Sequence, residues 1–173
     1  YFSVPLPPNK NYMLSFSDLS LNENILKALA ELGFENPTPV QEQAIPQLLT
    51  GNQDFIGLAQ TGTGKTAAFG IPLISVLDFD SRITQALVLA PTRELCVQIT
   101  NDIKKYSKYI PGVNVVPVYG GASIDTQIRA IRKGAQIIVA TPGRLIDLIG
   151  RNTIHLNEIS YIVLDEADEM LNM

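Results

Sequence analysis

Cysteine is almost missing from these 173 residues: Cys96 stands alone. No intramolecular disulfide and no cysteine-based zinc cluster can form, which fits a reducing compartment. Histidine is equally scarce. His155 lies in a polar stretch between Asn152 and Asn157 with no second ligand nearby, so it reads as a solvated loop residue rather than a metal ligand. No run approaches the roughly 18 uninterrupted apolar residues of a membrane-spanning helix. The opening YFSVPLPPNKNYML lacks the basic start and apolar centre of a secretory signal. A soluble, cytoplasmic protein with no membrane partner is expected. An excess of basic charge is missing as well: 13 Lys and Arg against 17 Asp and Glu give a formal net charge of -4. That is the opposite of the usual nucleic-acid binder, so any nucleic-acid site must be local.

What is present is ordinary globular material. Apolar residues make up 46% and charged residues 17%, with 12 Gly and 11 Pro, which excludes collagen-like, disordered and coiled-coil classes. The length suits one domain. Residues 1–14 carry Pro5, Pro7 and Pro8 without periodicity and read as an extended arm or a cloning remnant. The folded unit is expected over residues 15–173.

Leu21, Ile25, Leu26, Leu29 and Leu32 recur at helical spacing, with Asn22 as a plausible N-cap and Gly33 as the stop. Pro37 and Pro39 force a turn, and Val40, Ala44, Ile45, Leu48 and Leu49 predict a second helix ended by Gly51. The pattern then changes. Short apolar runs at Phe55–Ala59, Ala86–Ala90, Val113–Tyr119, Gln136–Ala140 and Tyr161–Leu164 predict strands. Between them, Thr66–Leu77, Arg93–Tyr109, Thr126–Lys133 and Arg144–Ile149 have helical spacing. Strands apolar on both faces, alternating with helices, predict an α/β fold: a mostly parallel sheet covered by helices on both faces.

The strongest local signal is AQTGTGKT, Ala59, Gln60, Thr61, Gly62, Thr63, Gly64, Lys65 and Thr66, between a predicted strand and a predicted helix. Gly62 and Gly64 let backbone N–H groups turn toward phosphate oxygens, Lys65 puts a charge near the outer phosphates, and Thr66 offers a hydroxyl to Mg2+. Ala59 stands where the pattern usually has its first glycine. The second signal is YIVLDEAD, an apolar strand delivering Asp165 and Glu166 at its tip. Two carboxylates there call for a cation: Asp165 to hold Mg2+ through a water, Glu166 to orient and deprotonate the attacking water.

With Asp165, Glu166, Ala167 and Asp168 the chain resembles the DEAD-box RNA helicases, and that family's N-terminal motifs occur in order from residue 16 to 173. GFENPTPVQ, opening at Gly33, resembles the adenine-recognition motif. The resemblance implies that Gln41 reads adenine, its amide pairing one donor and one acceptor with the base edge. Phe16 would stack on the ring, with Phe34 and Pro39 nearby. Asn36, basic in many relatives, is a small departure. By the same resemblance three segments hold an RNA backbone: Pro91, Thr92, Arg93 and Glu94 in PTREL, the Gly120-Gly121 pair, and Thr141, Pro142, Gly143 and Arg144 in TPGR. Each falls between a predicted strand and a predicted helix, where N–H groups aim at phosphates and an acidic protein can hold RNA without a broad basic patch.

The resemblance implies a RecA-like P-loop NTPase fold, ATP and Mg2+ as ligands, RNA as partner and a monomer. It also implies a longer parent chain, with a Ser-Ala-Thr segment contacted by Asp168, an interior strand between the loop strand and the Asp165 strand, and a second RecA-like domain. The sequence given holds none of these, so a nearly inactive fragment of an ATP-dependent RNA helicase is expected. A DNA-directed translocase on the same fold and a non-unwinding ATP-gated RNA clamp remain as alternatives. Cys96 is expected to be a buried apolar residue, and Lys104, Lys105 and Lys108 a solvated helix face.

Overall fold

The computed structural model describes residues 14–51, 54–60 and 62–172. The expected N-terminal arm up to residue 13 and Thr61 lie outside the described residues. Seven helices, α1 (Glu23–Glu31), α2 (Pro39–Thr50), α3 (Lys65–Val76), α4 (Arg93–Tyr106), α5 (Ile124–Arg132), α6 (Pro142–Gly150) and α7 (Ala167–Leu171), accompany four strands. The strands are β1 (Ala86–Leu89), β2 (Val115–Val118), β3 (Ile137–Ala140) and β4 (Tyr161–Leu164). All pair in parallel, in the order β2-β3-β1-β4.

Local chemistry sets the helix ends. Asn22 accepts from the Asn24 N–H at 2.8 Å to start α1. Pro39 is the first residue of α2, where its missing N–H costs nothing, and Gly51 closes the helix at φ 64°. Thr92 caps α4 by accepting from the Leu95 N–H at 3.2 Å. The helices fall within a few residues of the sequence expectations; α4 stops at Tyr106 rather than Tyr109.

Alternation along the strands builds two cores. Ala86 and Val88 of β1, with Val115, Ile137 and Val139, pack with α1, α3 and α4 on one face. Leu87, Val116, Val118, Ile138 and Ala140 pack with α5 and α6 on the other. The switch of faces follows from topology. The chain leaves β1 for the β2 edge through α4, then returns through α5 and α6, and right-handed crossovers in opposite directions put their helices on opposite faces. Cys96 is fully buried in the first core, its Sγ 3.1 Å from the Val139 carbonyl. Burial pushes its thiol up to about 11, so it is an inert core residue.

One predicted strand is corrected: residues 54–60 form no strand, and Ile56 and Leu58 are 91% and 98% exposed. An extended apolar segment becomes a strand only when a neighbour supplies the hydrogen-bonding ladder. Among the described residues nothing pairs with it, nor with the outer edge of β4. The same edge leaves Ile162 and Leu164 65% and 55% exposed, whereas Tyr161 and Val163 pack on the first core. No helix among the described residues is long and apolar enough to cross a membrane.

The two-core arrangement sets a stability test. Leu148 of α6 is fully buried and its neighbour Ile146 is 70% exposed. Leu148→Ala is expected to lower stability in urea denaturation by about 2 to 5 kcal/mol, and Ile146→Ala by less than about 0.5 kcal/mol. Equal losses would contradict the placement of α6.

Candidate functional site

All four strands point the same way, so their C-terminal ends and the loops that follow share one edge of the sheet, where open α/β folds place ligands. The predicted site residues gather there in two groups.

The first group surrounds the start of α3. The chain enters that helix through Gly62 at φ 82° and Gly64 at φ 88°. At Gly64 a side chain is excluded twice, by the left-handed backbone and by a clash of its Cβ with the Gln41 amide nitrogen. Gly64 offers no side chain to cap the helix, so the first N–H groups of α3 are left facing outward with the positive end of its dipole. Two contacts from the preceding turn hold this loop. The Thr38 hydroxyl donates to the Thr63 carbonyl at 2.9 Å, and Gln41 Nε2 donates to the Gly64 carbonyl at 3.1 Å. Gln41 Oε1 in turn accepts from the Thr38 N–H at 2.9 Å, so its buried amide keeps one N–H and one oxygen lone pair unspent.

Lys65, first in α3, brings its Nζ to 3.9 Å from Asp165 Oδ1. Asp165 continues the β4 ladder, its N–H donating to the Leu89 carbonyl at 3.0 Å, and its side chain is only 8% exposed. Burial pushes its carboxyl above the ordinary range. The Lys65 charge and the Glu166 N–H pull it partly back. Glu166 takes a left-handed conformation, φ 52° and ψ 49°, and turns the chain from β4 into α7 within one residue. Thr66 is half-buried in the first turn of α3, and Gln60 and Asp168 are exposed. Ala59 is half-buried.

Phe16 is only 4% exposed, in a short 3-10 turn (Phe16–Leu19), with its ring 6.1 Å from that of Phe34 and tilted by 32°. Phe34 is half-buried and Pro39 exposed.

The second group lies at the tips of β1, β2 and β3. Pro91 follows β1, with Arg93 and Glu94 exposed in the first turn of α4. The Arg93 guanidinium sits 4.9 Å over the Tyr119 ring, and Gly121, at φ 79°, lies close enough that a Cβ there would be 3.7 Å from Arg93 Nη1. Gly120 and Gly143 face open space. Thr141 stands at the N-cap of α6 without a capping bond, Pro142 follows as its first residue, and Arg144 donates to the Ala122 carbonyl through Nη1 and Nη2, both at 3.2 Å. A groove of about 570 Å³ runs along α4 from Arg93 to Lys105, with Tyr119 on its other wall.

Thr38, Tyr119 and Gln127 are the contacts that reading the sequence missed. Gln127 was detectable in principle, four residues before Ile131 on the apolar stripe of α5. Lys104, Lys105 and Lys108 are exposed; Lys105 pairs with Asp102 at 2.8 Å and Lys108 with Glu31 at 2.5 Å. His155 is exposed in the turn before β4.

Comparison with known proteins gives the same constellation a family. Residues 38–173 match the DEAD/DEAH box helicase family model. The chain is 52% identical over 160 residues to the ATP-dependent RNA helicase DeaD of Haemophilus influenzae, and 54% identical over 159 residues to that of Escherichia coli, each alignment covering 92% of this chain. It spans about a quarter of the length of these relatives, 26% and 25%. The crystal structure of a DEAD box protein from the hyperthermophile Methanococcus jannaschii superposes with a TM-score of 0.88 at 43% identity, over 92% of this chain and 43% of that one. A hypothetical ATP-dependent RNA helicase from Sulfolobus tokodaii gives a TM-score of 0.79 at 40% identity, over 88% of this chain and 44% of that one. The fold is therefore RecA-like α/β. With a family model spanning most of its length and a glycine-rich loop facing the Asp165 strand tip, the chain belongs to the DEAD/DEAH box helicases.

Proposed function

We propose that residues 15–173 form the N-terminal RecA-like domain of a cytoplasmic, monomeric ATP-dependent RNA helicase. The observation that carries this reading is the meeting of Lys65 and Asp165 at 3.9 Å, where the start of α3 faces the tip of β4. A buried carboxylate with only one cation nearby, beside outward-facing helix N–H groups, is chemistry suited to a metal-bound polyphosphate.

In this reading the backbone from Ala59 to Gly64 and the side chain of Lys65 hold the phosphates of ATP. Thr66 and Asp165 hold Mg2+. Among the described residues no three His, Cys, Asp or Glu side chains converge on one point, and an ion held by one or two protein groups would take its other ligands from phosphates and water. When bound, the ion neutralises charge on the β- and γ-phosphates. Glu166 orients the attacking water and takes its proton. Gln41 spends its remaining N–H and lone pair on adenine, and because its other contacts fix Thr38 and Gly64, base recognition and loop shape are coupled. Phe16, backed by Phe34, stacks on the base once its ring is uncovered.

The Arg93, Gly120-Gly121 and Thr141–Arg144 segments hold the sugar-phosphate backbone of single-stranded RNA, which positions a strand without reading its bases. Asp168 couples this domain to the Ser-Ala-Thr segment of the parent chain. The parent's second RecA-like domain completes both sites, and closure of the two on ATP and RNA opens a short duplex locally.

The direct test is ATP hydrolysis by the parent polypeptide with single-stranded RNA, with DNA of the same sequence, and with neither. Stimulation by RNA alone is expected, and Glu166→Gln is expected to lower the stimulated rate by about 10²- to 10⁴-fold. Equal stimulation by DNA would favour a general translocase, and no stimulation by either a nucleotide-gated clamp.

Asp165 supplies a second test. A carboxyl raised on folding stabilises the fold fully below its ordinary value of 3.8, and that contribution disappears as pH rises through the folded value. In ligand-free protein without divalent cations, Asp165→Asn is therefore expected to raise the denaturation midpoint at pH 7, the gain fading as pH falls below about 4. A lower midpoint at pH 7 would show that the Lys65 pair outweighs the burial of Asp165.

A further inference from the structure

We infer that Gln127 is a positioning residue for RNA: its side-chain amide ties Arg144 to the Gly120-Gly121 turn and leaves one edge of the guanidinium turned to a phosphate. The inference rests on the proposed RNA-backbone role of these two segments.

Gln127 lies in the first half of α5 and is only 7% exposed. A buried glutamine is tolerated where both ends of its amide find partners, and here the partners belong to two different strand-end loops. Nε2 donates to the Tyr119 carbonyl at 3.0 Å, one residue before the glycine pair, and Oε1 accepts from Arg144 Nη1 at 3.0 Å. The amide thus spans the tips of β2 and β3.

Counting donors on Arg144 shows what this achieves. A guanidinium has five N–H groups. Nη1 uses two, on the Ala122 carbonyl and Gln127 Oε1, and Nη2 uses one on the same carbonyl. Among the described residues the Nε–H and the second Nη2–H have no partner. They lie side by side on one edge, the fork that grips two oxygens of a phosphate. Without Gln127 the arginine keeps only the Ala122 carbonyl shared by its two Nη groups, and the guanidinium is free to tilt and swing about that one oxygen. The same glutamine holds the backbone of Tyr119, whose ring carries the Arg93 guanidinium. One amide therefore fixes the Arg144 side chain directly and braces the backbone that leads into the Gly120-Gly121 turn.

The test uses the intact protein and a labelled single-stranded RNA, titrated by fluorescence anisotropy with a non-hydrolysable ATP analogue present. The RNA dependence of ATP hydrolysis is measured in parallel. Gln127→Ala is expected to weaken RNA binding about ten-fold, the worth of a hydrogen bond to a charged group. The loss should appear in the RNA concentration for half-maximal rate rather than in kcat at saturating RNA. Gln127→Met, which keeps the volume without the polar atoms, should lose as much; wild-type affinity in that variant would show a packing role and overturn the inference. In an Arg144→Ala background Gln127→Ala should add less than about two-fold, and full additivity would also overturn it. If Arg144→Ala binds RNA normally, the underlying RNA reading fails as well. If Arg144→Ala weakens binding while both Gln127 variants bind normally, only the inference fails. Should neither Gln127 variant fold, Arg144→Lys decides: it keeps the charge but cannot bridge its two partners and still offer a fork, so a loss near that of Arg144→Ala supports the inference and normal affinity overturns it.

Discussion

A carboxylate closed in at the tip of an edge strand, faced by a lysine at a helix start, is the contact on which the proposed nucleotide site depends. Asp165 and Lys65 are 3.9 Å apart, and the carboxyl is still raised above its ordinary range because burial outweighs the attraction. Such a pair is poor evidence for stability, since desolvation consumes much of what the charges return. It makes sense as a site whose charge is held ready for a ligand that brings a cation and phosphates together. The loop around it is braced from outside by Thr38 and Gln41, which hold the carbonyls of Thr63 and Gly64. The N–H groups at the start of α3 are thereby left for an anion.

The parallel sheet turns this local chemistry into a two-site device. Because β1 lies between β3 and β4, the segment that follows it, Pro91 to Arg93, stands in the middle of the row of strand tips. On one side are the α3 loop and the tip of β4; on the other are the Gly120-Gly121 turn and the start of α6. Arg93 leans on Tyr119, Tyr119 is held by Gln127, and Gln127 holds Arg144. An acidic chain can in this way present a small ordered set of cations and helix N-termini, in place of a broad basic surface.

Most of the fold was legible in the sequence because its strands are buried on both faces and its helices carry their own start and stop signals. Asn22, Thr92, Pro39 and Gly51 mark ends that local chemistry alone dictates. Residues 54–60 were misread for the opposite reason: their apolar pattern is that of a strand, but a strand is a property of a pair. The positions of Lys65, Asp165, Arg93 and Arg144 followed from motif and spacing. The protein partners of the Gln41 and Gln127 amides did not, because they lie on other elements and only the fold reveals that both ends of each amide are engaged.

The Lys65–Asp165 junction is proposed to receive the metal-bound phosphates of an adenine nucleotide. Equilibrium binding of fluorescent ATP and GTP analogues to the intact protein, with Mg2+ and with a chelator, tests it most directly when wild type is set beside Asp165→Asn. Tighter binding of the adenine analogue, weakened by removing Mg2+ from wild type but nearly indifferent to Mg2+ in Asp165→Asn, is the predicted result. Equal affinity for both bases, or an unchanged Mg2+ dependence in the variant, would contradict the account.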